Sequence, residues 1–214
     1  MKLSIVILNW NGKLLLKKFL PDIILYTPFT PIYVVDNASE DDSIEFLKKE
    51  YKEINVIKLP INIGYAKAYN YALKKIDSDV YCLINNDVMV TKNWTSPIMS
   101  AFNNKKVDIA QPLVLDFENK DKFEYAGAAG GYIDKFGYPF CRGRIFDNIE
   151  SNFGQYDNSI DIFWASGACM FVNKKCWKSL EGFDEDFFMH QEEIDFCWRA
   201  KNLDKKIMCI SAVS

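Results

Sequence analysis

An open, mostly parallel α/β sheet with helices on both faces is the fold class the sequence predicts. A more irregular second half is expected to pack on the same sheet. Three observations lead there. Short apolar runs alternate with stretches of helical periodicity through the first hundred residues, the pattern of a parallel sheet crossed by helices. Each of the four apolar runs ends in a polar segment rich in Asn and Asp. From about Val107 the alternation stops, and Gly and aromatic residues become frequent.

The elements follow in chain order. Leu3-Ser-Ile-Val-Ile-Leu8 reads as a buried strand. Lys13 to Tyr26 reads as a helix ended by Thr27-Pro28. Ile32-Tyr-Val-Val35 is a second strand. Ser39 then precedes Asp42 in a capping-box-like pattern, with Ile44, Leu47 and Tyr51 at helical spacing. Asn55 to Leu59 makes a third strand. Gly64 opens a helix carrying Tyr69, Leu73 and Ile76 at i, i+4 and i+7. Val80 to Ile84 is a fourth strand, and Trp94, Ile98 and Ala101 mark the next helix. Beyond it, Tyr125-Ala-Gly-Ala-Ala-Gly-Gly-Tyr132 and Phe136 to Gly143 predict short strand-like pieces. No linker composition and no internal repeat interrupts the chain.

Composition excludes several function classes. The 214 residues suit one domain, and 49% apolar with 15% aromatic residues is enough for a core, which excludes disorder. Lys and Arg number 26 against 29 Asp and Glu, a net charge of −3. With no basic stripe, a general nucleic-acid binder is excluded, because phosphate neutralisation needs a basic surplus. The six cysteines, at 82, 141, 169, 176, 197 and 209, show neither CxxC nor metal spacing and read as reduced core thiols. A single histidine, His190, argues against a His-rich metal site and a Ser-His-Asp hydrolase. The apolar start is too short for a signal sequence or a membrane span. A soluble cytoplasmic chain is expected.

The strand ends carry the functional signal. The first strand runs into Asn9-Trp-Asn-Gly12, the second into Asp36-Asn-Ala-Ser39, the third into Pro60-Ile-Asn62-Ile-Gly64, and the fourth into Asn85-Asn-Asp87. In an open parallel sheet these ends line one edge, where ligands bind. Asn and Asp are ordinary loop formers, so any one of these segments alone reads as a turn. Four on one edge read as a nucleotide site: carboxylates for hydrogen bonds and a phosphate-bound cation, and a glycine-opened helix N-terminus. There is no GxGxxG after the first strand and no GxxxxGK[ST], which excludes a classical dinucleotide domain and a P-loop. Nor is there the Gly-rich basic loop of a sugar nucleotidyltransferase.

At these residues the sequence resembles the family-2 inverting glycosyltransferases, in their rhamnosyltransferase-like branch. The matching blocks are Ile5-Val-Ile-Leu-Asn-Trp-Asn-Gly12, Val34-Val-Asp-Asn-Ala-Ser39, Asn62-Ile-Gly-Tyr-Ala-Lys-Ala-Tyr-Asn70 and Leu83-Ile-Asn-Asn-Asp-Val88. Later come Trp164-Ala-Ser-Gly-Ala-Cys-Met170 and the run from Gly182 to Arg199. The resemblance spans nearly the whole chain in order. It implies a GT-A fold with a nucleotide-binding half at 1–106 and an acceptor and catalytic half at 107–214. It implies sugar transfer from a nucleotide-diphosphate donor, UDP-, GDP- or dTDP-linked, to a hydroxyl of a saccharide or lipid-linked saccharide, with inversion. The setting it implies is surface polysaccharide synthesis, in the cytoplasm or peripherally at the inner membrane face.

The resemblance also assigns roles. Asn9, Asp36, Asn62, Gly64 and Asn86 would position the nucleotide, with Asp36 at the base. Asp87 would hold Mg²⁺ or Mn²⁺ on the diphosphate. Glu193 would be the catalytic base and Glu192 its orienting neighbour or substitute. Trp164 and Gly167 would face the acceptor, Trp164 by stacking on a sugar ring, with a place in the core as its alternative reading. A cation stabilises a departing diphosphate, and a carboxylate base activates a sugar hydroxyl by roughly 10²- to 10⁴-fold.

Three departures stand out. The usual acidic pair is Glu-Asp, and here it is Glu192-Glu193. Asn86 replaces an acid often found beside the metal carboxylate. The family often has a metal-binding His on a further strand, and this chain stops at Ile207–Ser214, inside what reads as that strand. A C-terminal truncation, or an enzyme that does without that ligand, is the expectation. Other residues read as structural. Asp184 and Asp186 belong to a turn before the late helix, and Asp195 and Arg199 are a helical ion pair. His190 flanks a helix, and Lys67 is solvated. Tyr69 stands where the family often has Arg, so no phosphate role is carried to it. Gly127 to Gly131 is either a loop over the donor or a set of tight turns. The rival to an enzyme is a non-catalytic nucleotide- or glycan-binding module of the same fold. A hydrolase or nucleotidyltransferase on a similar sheet is weaker, because its motifs are absent.

Overall fold

Side-chain alternation along the first strand decides which way the layers pack. In β1 (Leu3–Asn9), Ile5 and Ile7 enter one apolar core, while Val6 and Leu8 enter the other. A strand with both faces apolar must be covered on both. The computed structural model describes residues 1–104, 106–125 and 127–212. Lys105, Ala126, Val213 and Ser214 lie outside the described residues, so the glycine-rich run lacks Ala126 and the last strand lacks the final two positions.

The order continues with α1 (Lys13–Tyr26), β2 (Ile32–Asp36), α2 (Ser43–Glu50), β3 (Asn55–Lys58), α3 (Tyr65–Leu73), β4 (Val80–Asn85), α4 (Ser96–Asn104) and β5 (Ile109–Pro112). Then come β6 (Gly131–Ile133), β7 (Pro139–Cys141), β8 (Arg144–Ile145), β9 (Asn148–Ile149), β10 (Ile160–Asp161) and β11 (Cys169–Asn173). The chain ends with α5 (Lys174–Ser179), α6 (Glu192–Asn202) and β12 (Ile207–Ile210). Among the described residues, no helix is long and apolar enough to cross a membrane.

One sheet of eight strands runs in the order β10-β12-β5-β11-β4-β1-β2-β3. The pairs β3-β2-β1-β4 are parallel, as the strand–helix alternation predicts. β5 and β12 are parallel as well. Two strands run the other way: β10 lies antiparallel to β12 at the sheet edge, and β11 lies antiparallel between β4 and β5. It brings residues just before Cys169 to the carboxyl end of β4, where Asn85 N–H donates to the Ala168 carbonyl at 3.0 Å. A second sheet, β6-β7-β8-β9, is antiparallel and small.

Helices α1 and α4 cover one face, through Leu16, Phe19, Leu20 and Ile23 of α1 and Ile98, Ala101 and Phe102 of α4. Helices α3, α5 and α6 cover the other, with Ala66, Tyr69 and Leu73 meeting Trp177 and Phe196 in one core. Several local expectations change. Ile76 lies beyond the end of α3, and Tyr51 is the residue that caps the C-terminus of α2. Trp94 lies in the turn before α4 rather than in it. At α2 the capping residue is Asp42, which makes no side-chain cap bond, and Ser39 is used elsewhere. The glycine-rich run is a set of tight turns, with Gly130 N–H donating to the Gly127 carbonyl and Ala128 and Ala129 fully buried.

Candidate active site

The parallel register sets Asn9 beside Asp36, and Leu8 beside Asn85. Asn9 is fully buried and bridges three elements. Its Nδ2 donates to Asp36 Oδ2 at 3.1 Å and Ser39 Oγ at 3.2 Å, and its Oδ1 accepts from Asn86 Nδ2 at 2.9 Å. A carboxylate only accepts, so the Asn9 amide has one sensible orientation here. Asp36 Oδ1 accepts the Ser39 N–H at 3.0 Å. The network runs from Asn86 through Asn9 to Asp36 and Ser39. Gly12 packs against it so closely that any Cβ would overlap Asn86 Nδ2 and Asn9 Oδ1.

A second cluster holds the turn before α3. Asn37 Nδ2 donates to Asn62 Oδ1 at 2.8 Å, and Asn37 Oδ1 accepts from Ile63 N–H at 3.0 Å. Asn62 Oδ1 also accepts from Gly64 N–H at 3.0 Å. Gly64 has φ +83°, and a Cβ there would lie 2.5 Å from the Phe188 carbonyl oxygen. Tyr65 N–H donates to that oxygen at 2.7 Å. The segment before α6 is thus docked onto the N-terminus of α3.

That segment delivers the acidic pair. His190 and Gln191 both have left-handed backbones, φ 74° and 72°, an uncommon conformation for two adjacent non-glycine residues. The sharp turn places Glu192 and Glu193 in the first turn of α6. Glu192 is 3% exposed, and its Oε2 has no hydrogen-bond partner. Burial raises its pKa above the ordinary carboxylate value. Glu193 is pushed up to about 7, first by desolvation and then by the neighbouring Glu192 charge. It lines a pocket of about 300 Å³ with Tyr125, Phe140, Arg144, Phe146 and Trp164. Tyr65 Oη donates to the Gly167 carbonyl at 2.8 Å, and the Cα of Gly167 faces the Glu193 Cβ.

Asp87 is exposed at the end of β4. It lines a separate pocket of about 270 Å³ whose walls include Trp94, Leu113, Leu115 and Cys169. Among the described residues, no three His, Cys, Asp or Glu side chains are grouped to hold a metal alone. Asp116 and Glu124 line the same pocket. An exposed carboxylate suits an octahedral cation that takes its remaining ligands from diphosphate oxygens and water. Asp87 would therefore fit Mg²⁺ or Mn²⁺ as a protein ligand.

With that geometry established, likeness to known proteins decides the family. The family model described as glycosyl transferase family 2 matches residues 4–175. The chain belongs to glycosyl transferase family 2. It is 25% identical over 204 residues to the low-salt glycan biosynthesis hexosyltransferase Agl10 of Haloferax volcanii, covering 93% of this chain and 61% of that protein. It is 22% identical over 214 residues to the N-acetylglucosaminyl-diphospho-decaprenol L-rhamnosyltransferase of Mycobacterium tuberculosis, covering 90% of this chain and 68% of that one. The fold matches GalNAc-T7, solved with UDP, GalNAc and Mn²⁺, at a TM-score of 0.78 and 14% identity, over all of this chain and 43% of that one. The fold is GT-A. The chain spans about three fifths of the Haloferax relative's length.

Against that frame, some expected contacts of this family 2 chain change character. Asn9 and Asp36, expected to position a nucleotide, are fully buried with their polar atoms engaged, so they form a floor beneath the strand-end edge and do not face solvent. Gly64 does not leave an open anion site: its own N–H and that of Tyr65 are already donated, and its missing side chain makes room for Phe188. Asn62 shapes the same turn. Trp164 is 4% exposed, its indole N–H on the Tyr132 carbonyl at 2.9 Å, so only an edge reaches the pocket. The Asp195–Arg199 ion pair forms at 2.8 Å, and Arg199 also holds the Leu180 and Gly182 carbonyls.

Other working residues carried no separate signal in the sequence. Asn37 sat unremarked in the second strand-end motif. Trp10, exposed at the end of β1, sat in the first. Tyr65 and Phe188 act through contacts more than a hundred residues apart in sequence, which no local pattern encodes.

Proposed function

We propose that this chain transfers a sugar from a nucleoside diphosphate donor to an acceptor hydroxyl by single displacement with inversion, in surface polysaccharide assembly. The observation that carries it is Glu193: a buried carboxylate, pushed to about 7, lining an aromatic pocket. A base whose pKa lies near the working pH is both deprotonated and able to take a proton. Aromatic walls suit the apolar faces of a sugar ring. One base opposite the leaving group suffices for inversion.

The donor end is supported by the Asn86–Asn9–Asp36 floor, by Asp87 and by Trp10, whose ring is exposed and would stack on a base. Asp87 and the diphosphate would hold Mg²⁺ or Mn²⁺, which when bound supplies positive charge to the leaving group. The named relatives act as hexosyl- and rhamnosyltransferases, and GalNAc-T7 was solved with UDP and Mn²⁺. That company agrees with a proposed UDP-, GDP- or dTDP-linked hexose donor and a saccharide or lipid-linked saccharide acceptor. An encounter at the inner membrane face fits a lipid-linked acceptor.

Calorimetric titration with UDP, GDP and dTDP, each with and without Mn²⁺, tests the donor site. Metal-dependent binding of one diphosphate is expected. With the sugar donor so identified, Glu193→Gln should lower transfer by roughly 10²- to 10⁴-fold and leave nucleotide affinity unchanged. No nucleotide binding, or undiminished transfer by the variant, would overturn the reading.

A further inference from the structure

The chain has three arginines, and two of them are spent on structure. Arg142 places Nε and Nη2 on the Ala129 carbonyl. Arg199 is used on all three nitrogens, by Asp195, Leu180 and Gly182. Arg144 differs. It begins β8, and its Nε donates to the Phe146 carbonyl at 3.3 Å, yet neither Nη donates a hydrogen bond to a described residue. Its nearest anion is Glu124, 3.8 Å away and so beyond hydrogen-bond length, with Oε1 already accepting the Tyr125 N–H.

The position of these unused donors matters. The Arg144 side chain is 19% exposed, so its guanidinium is partly buried with its Nη atoms still open to solvent. It lines the same pocket as Glu193, with Tyr125, Phe140 and Phe146 around it. A partly buried guanidinium fork with open Nη donors is a receptor for a planar or tetrahedral oxyanion. The only other groups of the pocket that can carry positive charge are on His190.

Taking the Glu193 pocket as the acceptor site, as proposed above, we infer that it selects a saccharide bearing an anion, which Arg144 binds while Glu193 receives the reacting hydroxyl. The anion is a phosphoryl group or a carboxylate; both match the fork. The long Glu124 contact is the resting partner that the acceptor anion displaces. This would make Arg144 a specificity residue: a neutral acceptor leaves its Nη donors to water and to Glu124 and gains no charge-assisted hydrogen bond from them.

The test is acceptor binding without chemistry. Wild type, Arg144→Gln and Glu124→Gln are titrated in EDTA, so that phosphate is not drawn to a cation at Asp87. The probes are the 1-phosphates of glucose and N-acetylglucosamine, methyl glucuronoside, and the neutral methyl glycosides of the same sugars. At least one anionic probe should bind wild type about tenfold or more tightly than its neutral counterpart, the usual scale of a charge-assisted hydrogen bond. Whether phosphate or carboxylate gives the larger preference identifies the source. Arg144→Gln should erase the preference, leaving neutral probes unchanged. Glu124→Gln, which removes only the competing carboxylate, should sharpen it. Equal binding of charged and neutral probes, no binding of any, or a preference that survives Arg144→Gln overturns the inference. UDP, GDP and dTDP titrated with Mn²⁺ into the same variants separate the two readings: retained nucleotide binding leaves the transferase proposal standing when the anion preference fails.

Discussion

At the residue scale the site is governed by what burial does to neighbouring carboxylates. Glu192 and Glu193 begin α6, where the helix dipole favours negative charge. Desolvation outweighs that help and pushes both upward. With Glu193 as the proposed base, activity should rise with pH through about 7 and fall tenfold per unit well below it. Replacing Glu192 with Gln removes a like charge that raises Glu193, so the acid limb of kcat/KM should move to lower pH. A limb that stays in place would show that desolvation alone sets it. The raised pKa has a folding cost: Glu193 contributes stability below its unfolded pKa, near 4.5, that is lost as pH rises through about 7.

At the scale of elements, the useful unit is the docking of the 183–191 segment onto α3. Three features converge on it: the Tyr65 N–H on Phe188, the closed space at Gly64, and Asn70, which brackets Phe183 through bonds of 2.8 and 3.0 Å. Gly64→Ala meets both a left-handed backbone and the Phe188 carbonyl and ring, at 2.5 and 2.8 Å. A strained substitution costs roughly 1–3 kcal/mol. The segment should loosen and misplace Glu193, so kcat should fall more than donor affinity, and limited proteolysis should quicken within 183–191. Equal loss of nucleotide affinity would instead return Gly64 to the nucleotide site. One helix had legible boundaries. α1 spans the expected Lys13–Tyr26, since apolar spacing and a closing Thr-Pro are local signals. Ser39 was misread as a cap because its hydroxyl prefers Asn9 and Asn11, partners that only strand pairing supplies.

For the whole molecule, two cores flank one sheet and enclose every thiol. All six cysteines are free and buried. Cys176, Cys197 and Cys209 are pushed up to about 12, chiefly by desolvation. A thiol that is neither ionised nor reachable does not attack a disulfide reagent. Cys176, Cys197 and Cys209 should therefore resist a chromogenic aromatic disulfide in the native chain, and all six thiols should titrate in guanidinium. Fast labelling of any thiol under native conditions would show that its part of the core opens.

What the sequence by itself determined was the strand–helix order, the parallel core of the sheet, and the gathering of Asn9, Asp36 and Asn85–Asp87 at one edge. Those follow from periodicity and chain direction, which are local. The tertiary structure alone decided which of these polar groups face outward. It put Asn9 and Asp36 beneath the floor, gave Gly64 to Phe188, and inserted β11 antiparallel beside β4. It also decided that Glu193 is shifted to about 7 and that Arg144 keeps unused donors in the same pocket. Burial and electrostatic environment are sums over neighbours distant in the chain, and a residue's own type and spacing do not contain them.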